Sequence, residues 1–318
     1  MPLKPIVMQP AFRSGDQTPW GGRKLKQLFN KDTPDKNTGE SLELSAIPGL
    51  ESRDTAGRGL AELIRIHGQT LTGTFVSGDF PLLLKLLDAK EDLSVQVHPD
   101  DNYAQNHHGK LGKNECWVIL SCEPGARLYC GLKEGVRPEQ IGHAISQEES
   151  IEPLLRSIQV QAGDVIYIPA GTVHAIGGGI LLYELQQSSD LTYRLFDWGR
   201  RDAAGKKREL HLQQALDVMK PASRPEPLNA RWVKADGHGK RECLLETPYF
   251  ELFRLTNCTD LVISPDKERF SALTALAPGK IRWEGGEIVL QTGQTLLLPA
   301  DGFMLSFSGQ SALVCRPG

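Results

Sequence analysis

The sequence predicts an all-β dominated fold, in which a jelly-roll barrel with a helical insertion is followed by a second, smaller β-barrel or jelly-roll-like domain. The chain of 318 residues contains 32 glycines and 20 prolines, and these separate many short β-branched runs. Short strands at such regular spacing suit a sandwich or a jelly roll. The length exceeds that of an ordinary single domain. A proline-rich segment at 221–227 therefore predicts a boundary near residue 230, between domains at 1–230 and 231–318.

Strands are expected in both parts of the chain. The candidates in the first part are 93–98, 115–121, 164–168 and 180–187, and those in the second part are 249–255, 287–290, 295–298 and 303–307. Helical signals are fewer. They place helices at about 55–67, 133–158 and 208–220, with Pro138 at a plausible first helical position.

The composition is that of an ordinary globular protein. Hydrophobic residues make up 40% and charged residues 24%, and the net charge is −3. Neither this charge nor the sequence pI of about 6.3 suggests a nucleic-acid or membrane partner. The six cysteines form no CxxC pair, and the N-terminus lacks a signal-peptide core. We therefore expect reduced thiols and a cytoplasmic location, while the choice between monomer and homodimer stays open.

Two segments of the chain resemble each other. Gln161-Ala-Gly-Asp-Val-Ile-Tyr-Ile-Pro-Ala aligns with Gln291-Thr-Gly-Gln-Thr-Leu-Leu-Leu-Pro-Ala. In this alignment His174 of the first copy corresponds to Met304 of the second. The repeat predicts a second β domain that arose by duplication and lacks metal ligands.

Four side chains of metal-ligand type converge on the first barrel. Gln96 and His98 lie two residues apart, so both face the same side of a strand. Glu115 begins the next apolar strand, and His174 follows a Pro/Gly turn. A single histidine such as His98 is more often hydrogen-bonded in a core or loop, and a single glutamate such as Glu115 is more often solvated at a strand edge. Together with His174 they favour a metal site. The residue types alone do not choose among Zn²⁺, Fe²⁺ and Mn²⁺.

The turn before His174, Gly163-x5-Pro169-x-Gly171-x2-His174, resembles the second signature of the cupin superfamily. Three further segments resemble type I mannose-6-phosphate isomerases of the short bacterial form. They are Leu93-Ser-Val-Gln-Val-His-Pro-Asp-Asp, Gly112-Lys-Asn-Glu-Cys-Trp-Val-Ile-Leu and Gln186-Gln-Ser-Ser-Asp-Leu-Thr-Tyr-Arg-Leu-Phe-Asp-Trp, and Gly39-Glu-Ser also fits.

The resemblance implies a reaction and roles for residues. The implied reaction interconverts mannose 6-phosphate and fructose 6-phosphate through an enediol(ate). The resemblance implies one zinc ion per chain, bound by His98, Glu115 and His174 with Gln96 as a candidate fourth ligand. It also implies a catalytic Arg194 and an active-site Lys113.

The chain around Arg194 leaves the details open. Glu184, Asp190 and Arg194 are separated by even numbers of residues, so on one continuous strand all three would face the barrel interior. The segment 188–190 could instead break that strand. Glu184 and Asp190 are expected to bind substrate, and Lys113, Glu184 and Asp190 are candidate bases. Alternatively, Arg194 forms a surface ion pair with Asp190 or Asp197. Candidates for binding the phosphate are Lys85, Lys113, Arg194 and Arg200.

Two other functions remain open on the sequence. A cupin oxygenase would hold Fe²⁺ with a similar ligand set. A sugar-phosphate-binding regulator would bind the same ligand without turnover. Fold analogy alone does not separate these functions from an isomerase.

Overall fold

A computed structural model describes residues 2–76, 78–202 and 204–318. The β-strands of these residues are β1 Ile6–Met8, β2 Ala11–Ser14, β3 Thr38–Leu44, β4 Leu82–Ala89, β5 Val95–Val97, β6 Glu115–Cys122, β7 Arg127–Leu132, β8 Leu155–Gln159, β9 Val165–Ile168, β10 His174–Ile176, β11 Ile180–Gln187, β12 Tyr193–Phe196, β13 Trp232–Asp236, β14 Gly239–Glu246, β15 Phe250–Ile263, β16 Ser271–Ala275, β17 Gly279–Trp283, β18 Gly286–Leu290, β19 Thr295–Leu298 and β20 Leu305–Pro317. The α-helices are α1 Lys24–Phe29, α2 Leu60–His67, α3 Gln69–Thr72, α4 Asp101–His108, α5 Pro138–Ser146 and α6 Leu212–Val218. Short 3₁₀ turns lie at Gly15–Gln17 and Glu152–Leu154.

The first barrel is built from two antiparallel sheets. One has six strands in the order β2-β3-β4-β11-β6-β9, and the other has five in the order β12-β5-β10-β7-β8. Their facing side chains form one buried cluster, which includes Trp117 and Leu182 from the first sheet and Leu128 and Ile176 from the second. This packing of two apolar sheet faces is that of a jelly roll.

The six-stranded sheet is buried on both faces. Leu84 and Leu86 of β4 point away from the first barrel, into a cluster shared with Leu252 and Leu313 of the C-terminal sheet. Leu87 of the same strand faces the barrel interior. Because side chains alternate along a strand, one sheet can serve two cores. The candidate site therefore rests on a sheet that is supported from both sides.

The second barrel has its own apolar core. Its nine-stranded sheet runs β1-β19-β16-β20-β15-β14-β13, and β17 and β18 join it through β20. Leu273, Ile281, Leu296 and Phe307 pack in its interior. The N-terminal strand β1 pairs with β19, so the first residues of the chain lie in the C-terminal sheet.

The predicted fold class is confirmed, and the helices are partly as expected. Helices α2, α5 and α6 lie inside the three predicted helical segments. The prediction was wrong for Leu155–Gln159, which forms strand β8 against β7. Leu155 and Ile158 have a spacing that mimics a helix, but β7 offers an unpaired edge that this segment satisfies. The domain boundary near residue 230 stays a prediction. Among the described residues, no helix combines the length and the apolar character that crossing a membrane requires.

The repeated turn has the same geometry in both copies. Gly163 and Gly293 adopt φ values of 97° and 78°, which favour glycine. The backbone N–H of Gln161 donates to Asp164 Oδ2 at 2.9 Å, and the backbone N–H of Gln291 donates to Gln294 Oε1 at 3.1 Å. A short strand follows each turn, and Pro-Ala comes directly after that strand. The two barrels therefore share this turn in conformation as well as in sequence.

Candidate active site

Three strands bring His98, Glu115 and His174 together. His98 directly follows β5, while Glu115 and His174 are the first residues of β6 and β10. Strand pairing sets His174 opposite Gln96 of β5. The ligand atoms of the three residues lie within 4.8 Å of one another, and all three side chains are buried. The structure therefore brings together the residues that the sequence marked as metal ligands.

The four side chains face one point. Glu115 Oε1 lies 3.3 Å from His98 Nε2, and Glu115 Oε2 lies 3.6 Å from His174 Nε2. Gln96 Nε2 lies 3.5 Å and 3.2 Å from the two imidazole Nε2 atoms. His98 Nδ1 lies 2.8 Å from the Leu191 carbonyl oxygen, and His174 Nδ1 lies 3.0 Å from that of Thr172. If each Nδ1–H donates to its carbonyl, both Nε2 lone pairs point into the cluster, where a cation can take the place of the Lys113 and Gln96 donors.

The protonation states suit a cation. Burial and the neighbouring Lys113 charge lower the pKa of His98 to about 3. Burial also lowers the pKa of His174. For Glu115, burial raises the pKa, but the charge of Lys113 and the contact with His98 outweigh it and hold the pKa well below its usual value. Neutral imidazoles beside an ionised carboxylate are the forms in which these groups bind metals.

Glu115 is short of hydrogen-bond donors. Both of its oxygens are buried without a hydrogen bond among the described residues. Lys113 Nζ lies 2.6 Å from Oε1, but the contact lacks hydrogen-bond geometry, and the same nitrogen lies 3.0 Å from His98 Nε2. Among the described residues the Lys113 ammonium is the one charged partner of this buried carboxylate, and a second cation at the cluster would offset the cost of burying it without hydrogen bonds. The residues present therefore fit a bound metal ion.

A cavity of about 310 Å³ opens beside this cluster. Gln96 and Lys113, which contact the cluster of His98, Glu115 and His174, are among its lining residues. Its other lining residues are Arg13, Gln17, Trp20, Glu40, Lys85, Leu87, Leu93, Ser94, Ile176, Glu184, Asp190, Thr192, Arg194 and Arg208. This mixture of charges around a cavity of small-molecule size suits a polar, anionic ligand.

A buried ion-pair network forms one wall of the cavity. Lys85 Nζ lies 2.9 Å from Glu184 and 3.6 Å from Glu40, and Glu40 also pairs with Arg13 at 3.2 Å. Trp117 Nε1 donates to Glu184 Oε1 at 3.0 Å. Burial raises the pKa of Glu184 although the Lys85 charge lowers it. A buried carboxylate with a raised pKa is typical of a proton-transfer residue.

Arg194 differs from the other cations of the cavity. Arg13, Lys85, Lys113 and Arg208 each have a carboxylate partner. Among the described residues, Arg194 has no carboxylate within 4.0 Å; its Nη1 donates to the Glu209 carbonyl at 2.9 Å and its Nε donates to Ser94 Oγ at 3.4 Å. The alternative of a surface ion pair with Asp190 or Asp197 is therefore wrong. The guanidinium charge stays available for an anion.

The segment between Glu184 and Arg194 is broken. Strand β11 ends at Gln187 in the six-stranded sheet, and β12 begins at Tyr193 in the five-stranded sheet. Glu184, Asp190 and Arg194 nevertheless all line the cavity, because the two sheets face each other across it. Asp190 pairs with Lys110 at 2.8 Å at the rim. Arg200 instead pairs with Asp197 at 3.2 Å and does not line the cavity.

Several lining residues were missed on the sequence. Glu40 belongs to the Gly39-Glu-Ser segment that carried part of the resemblance, but no role was given to it. Ser94 lies two residues before Gln96, so strand alternation could have found it. Arg13 and Arg208 carried no local signal, because only long-range pairing brings them to the cavity.

Known proteins resemble this chain over most of its length. The family model for the catalytic domain of type I phosphomannose isomerase matches residues 8–116. A mannose-6-phosphate isomerase of Streptococcus mutans is 36% identical over 299 residues, which are 93% of each chain. The crystal structure of a mannose 6-phosphate isomerase from Bacillus subtilis superposes with a TM-score of 0.88 at 32% identity, over 99% of both chains. A zinc-bound mannose 6-phosphate isomerase shares the fold, with a TM-score of 0.77 at 16% identity over 99% of this chain and 100% of that one. The chain belongs to the type I mannose-6-phosphate isomerase family.

Proposed function

We propose that this protein interconverts mannose 6-phosphate and fructose 6-phosphate through an enediol(ate), in the cavity beside His98, Glu115 and His174. One observation carries the proposal. Three buried ligand-type side chains converge within 4.8 Å at a cavity that also holds an unpaired guanidinium. Names of relatives that match over nearly the whole chain support the same substrate. Nothing in the site favours oxygen chemistry or binding without turnover.

We propose one Zn²⁺ per chain, bound by His98, Glu115 and His174, with Gln96 as the fourth ligand through Oε1, once its side-chain amide is turned so that Oε1 rather than Nε2 faces the imidazoles. The zinc-bound structure of similar fold supports the choice of metal. When bound, Zn²⁺ supplies Lewis-acid stabilisation of negative charge on a substrate oxygen. The carbonyl contacts of Leu191 and Thr172 fix the orientation of both imidazoles.

Arg194 and Lys113 are the proposed catalytic cations. Arg194 cannot lose its proton at neutral pH and presents a planar donor fork, so it can hold the substrate phosphate or the developing enediolate. Burial and the nearby Arg208 charge lower the pKa of Arg194, and an incoming anion relieves that repulsion. Lys113 lies beside the ligands of the metal and adds a second positive charge at the reacting end of the cavity.

Glu184 and Asp190 are the proposed partners of the substrate hydroxyls. Of the candidate bases, Glu184 has the strongest support, because it is buried and its raised pKa brings proton transfer closer to neutral pH. Lys85, 2.9 Å away, holds the carboxylate in place. Asp190 lies at the rim, where its contact with Lys110 is half exposed, so it contributes to binding rather than to proton transfer.

A coupled assay of fructose 6-phosphate formation tests the function. Protein stripped by a chelator should be inactive, and activity should return with stoichiometric zinc. Arg194→Ala should lower kcat by a factor of about 10²–10³ while the metal content stays unchanged. Arg201→Ala, an exposed arginine of the following loop, is the matched control and should retain full activity. Absence of turnover in zinc-loaded protein would refute the isomerase.

The proposal also includes the cellular location of the protein and the boundary between its domains. All six cysteines are free, which supports a reducing cytoplasm. We also propose that residues 1–230 form the catalytic domain and that 231–318 form a β domain without metal ligands.

A further inference from the structure

The second barrel has an opening of its own. A groove of about 620 Å³ lies over β13, β14 and β15 and beside the segment 262–267. We define the basic groove by Trp232, Lys234, Arg241, Phe253, Lys267 and Arg316, which are among its lining residues. Its floor is the same sheet face that carries Leu255 and Val314 of the barrel core. The groove is thus continuous with the apolar interior.

The basic groove concentrates positive charge in a chain whose net charge is −3. Four basic side chains line it against one carboxylate, Asp266. That carboxylate already pairs with Arg316 at 3.4 Å. Within the described part of the chain, Lys234, Arg241 and Lys267 have no carboxylate within 4.0 Å. Three unneutralised cations around one concave surface attract an anion.

Two aromatic rings form an apolar platform between these cations. The Trp232 and Phe253 rings lie 5.9 Å apart, and both side chains are only partly buried. Lys234 Nζ lies 5.2 Å from the Trp232 ring centre, and the Arg316 guanidinium lies 5.5 Å from that of Phe253. Half-exposed aromatic rings beside unpaired cations suit a ligand that has a flat or ring-shaped body and a charged group.

We propose that the basic groove binds a phosphorylated ring compound, separately from the cavity of the first barrel. The ring packs on Trp232 and Phe253, and the phosphate contacts Lys234, Arg241 or Lys267. The volume suits a ligand of sugar-phosphate or nucleotide size. This chemistry is shared by a hexose phosphate and by a nucleotide, and the test separates the two sources.

Hydrogen–deuterium exchange on the intact protein tests the proposal, with mannose 6-phosphate and ADP as probes and mannose and adenosine as uncharged counterparts. Either phosphorylated probe should slow exchange in β13, β14 and 262–267, and its uncharged counterpart should not. Protection by mannose 6-phosphate would assign the groove to the substrate class, and protection by ADP to nucleotides. Absence of protection there with both phosphorylated probes would overturn the proposal.

Variants confirm that the protected segment is the binding site. Lys234→Glu should weaken groove binding at least tenfold in calorimetry, because it reverses one of the three free charges. Trp232→Ala should weaken it as well, while Lys280→Glu, on the outer hairpin β17–β18, should leave it unchanged. The isomerase assay on Lys234→Glu is independent of this result, since this lysine lies outside the first cavity. Binding that is unchanged in both groove variants would refute the assignment.

Discussion

The two barrels use the same kind of strand and turn for different ends. In the first, the strand after Gly163 leads through a Pro/Gly turn to His174, which is buried among polar side chains. In the second, the matching strand after Gly293 leads to Met304, whose side chain is 57% exposed. The interior of the second barrel is filled by leucines and phenylalanine. A repeated turn therefore preserves a backbone path, while the side chains at its end decide between a site and a core.

The polar interior of the first barrel carries a cost that the second avoids. Glu115, Glu184 and Lys85 are buried together, and oxygens of both glutamates lack hydrogen bonds among the described residues. Buried charges of this kind are kept where they serve chemistry, because apolar side chains of similar size would be at least as stable. The comparison predicts that substitutions of the buried polar residues in the first barrel change activity, whereas substitutions in either apolar core change stability.

The largest effect is expected from Glu115→Gln. The change removes the negative charge at the metal cluster, so both the bound metal and its stabilisation of substrate charge should be lost. Several kcal/mol of transition-state stabilisation correspond to a fall in kcat/KM of about 10³-fold or more. The coupled isomerase assay and the metal content measure this. The matched control is Glu251→Gln, at a buried glutamate of the second barrel that pairs with Arg269 and Arg316, and it should keep full activity.

The next largest effect is expected where the two barrels meet. Lys31 Nζ lies 2.7 Å from Glu43 Oε1 of β3 and donates to the Gly293 carbonyl at 2.7 Å, while Thr295 of β19 donates to Glu43 at 3.2 Å. Lys31→Met should leave Glu43 charged and buried, which costs about 3–5 kcal/mol of unfolding free energy in urea denaturation.

The exposed ion pair of Lys207 and Glu148 supplies the control for this junction. Lys207→Met should leave the free energy of unfolding nearly unchanged, since water screens this exposed pair. The double variant Lys31→Met with Glu43→Gln should recover part of the stability by removing the stranded charge. If Lys31→Met and Lys207→Met lowered the free energy of unfolding by the same amount, the buried contact between the barrels would stabilise the protein no more than an exposed ion pair does.

Sequence reasoning found the metal cluster because its signals are local. Gln96 and His98 share a strand face, and His174 follows a turn that glycine and proline mark in the sequence. It named Lys85 as a phosphate candidate, but it could not find the wall that Lys85 forms with Arg13 and Glu40, since β2, β3 and β4 meet only through long-range pairing. The same limit applies to β1, which pairs with β19 at the opposite end of the chain.

The break between Glu184 and Arg194 shows a second limit. Their common parity correctly suggested one cavity, yet the two residues reach it from facing sheets rather than from one strand. Parity carries meaning only while a strand continues, and the break that the sequence allowed at 188–190 does occur, since β11 ends at Gln187. The lack of a carboxylate partner for Arg194 likewise depends on distances in space, so it became visible only in the fold.

A moderate effect is expected from removing one methyl group in each core. Ile281→Val in the second barrel and Ile119→Val in the first both shorten a buried side chain, and each should cost about 0.5–1.5 kcal/mol. Neither residue lines the catalytic cavity, so kcat/KM should stay within twofold in both variants. Thermal unfolding and the isomerase assay measure the two quantities. A large loss of activity in Ile281→Val alone would mean that the second barrel acts on the site and is more than a support.

The smallest effect is expected from Met304→His, which places a histidine in the second barrel at the position that matches His174. The side chain is exposed, so the free energy of unfolding should change by less than about 0.5 kcal/mol. Elemental analysis should still find one metal per chain, because the only group of three ligand-type side chains among the described residues lies in the first barrel. A second metal ion in this variant would contradict the proposal that the second barrel has no metal ligands. One histidine cannot recreate a site whose other ligands came from two further strands.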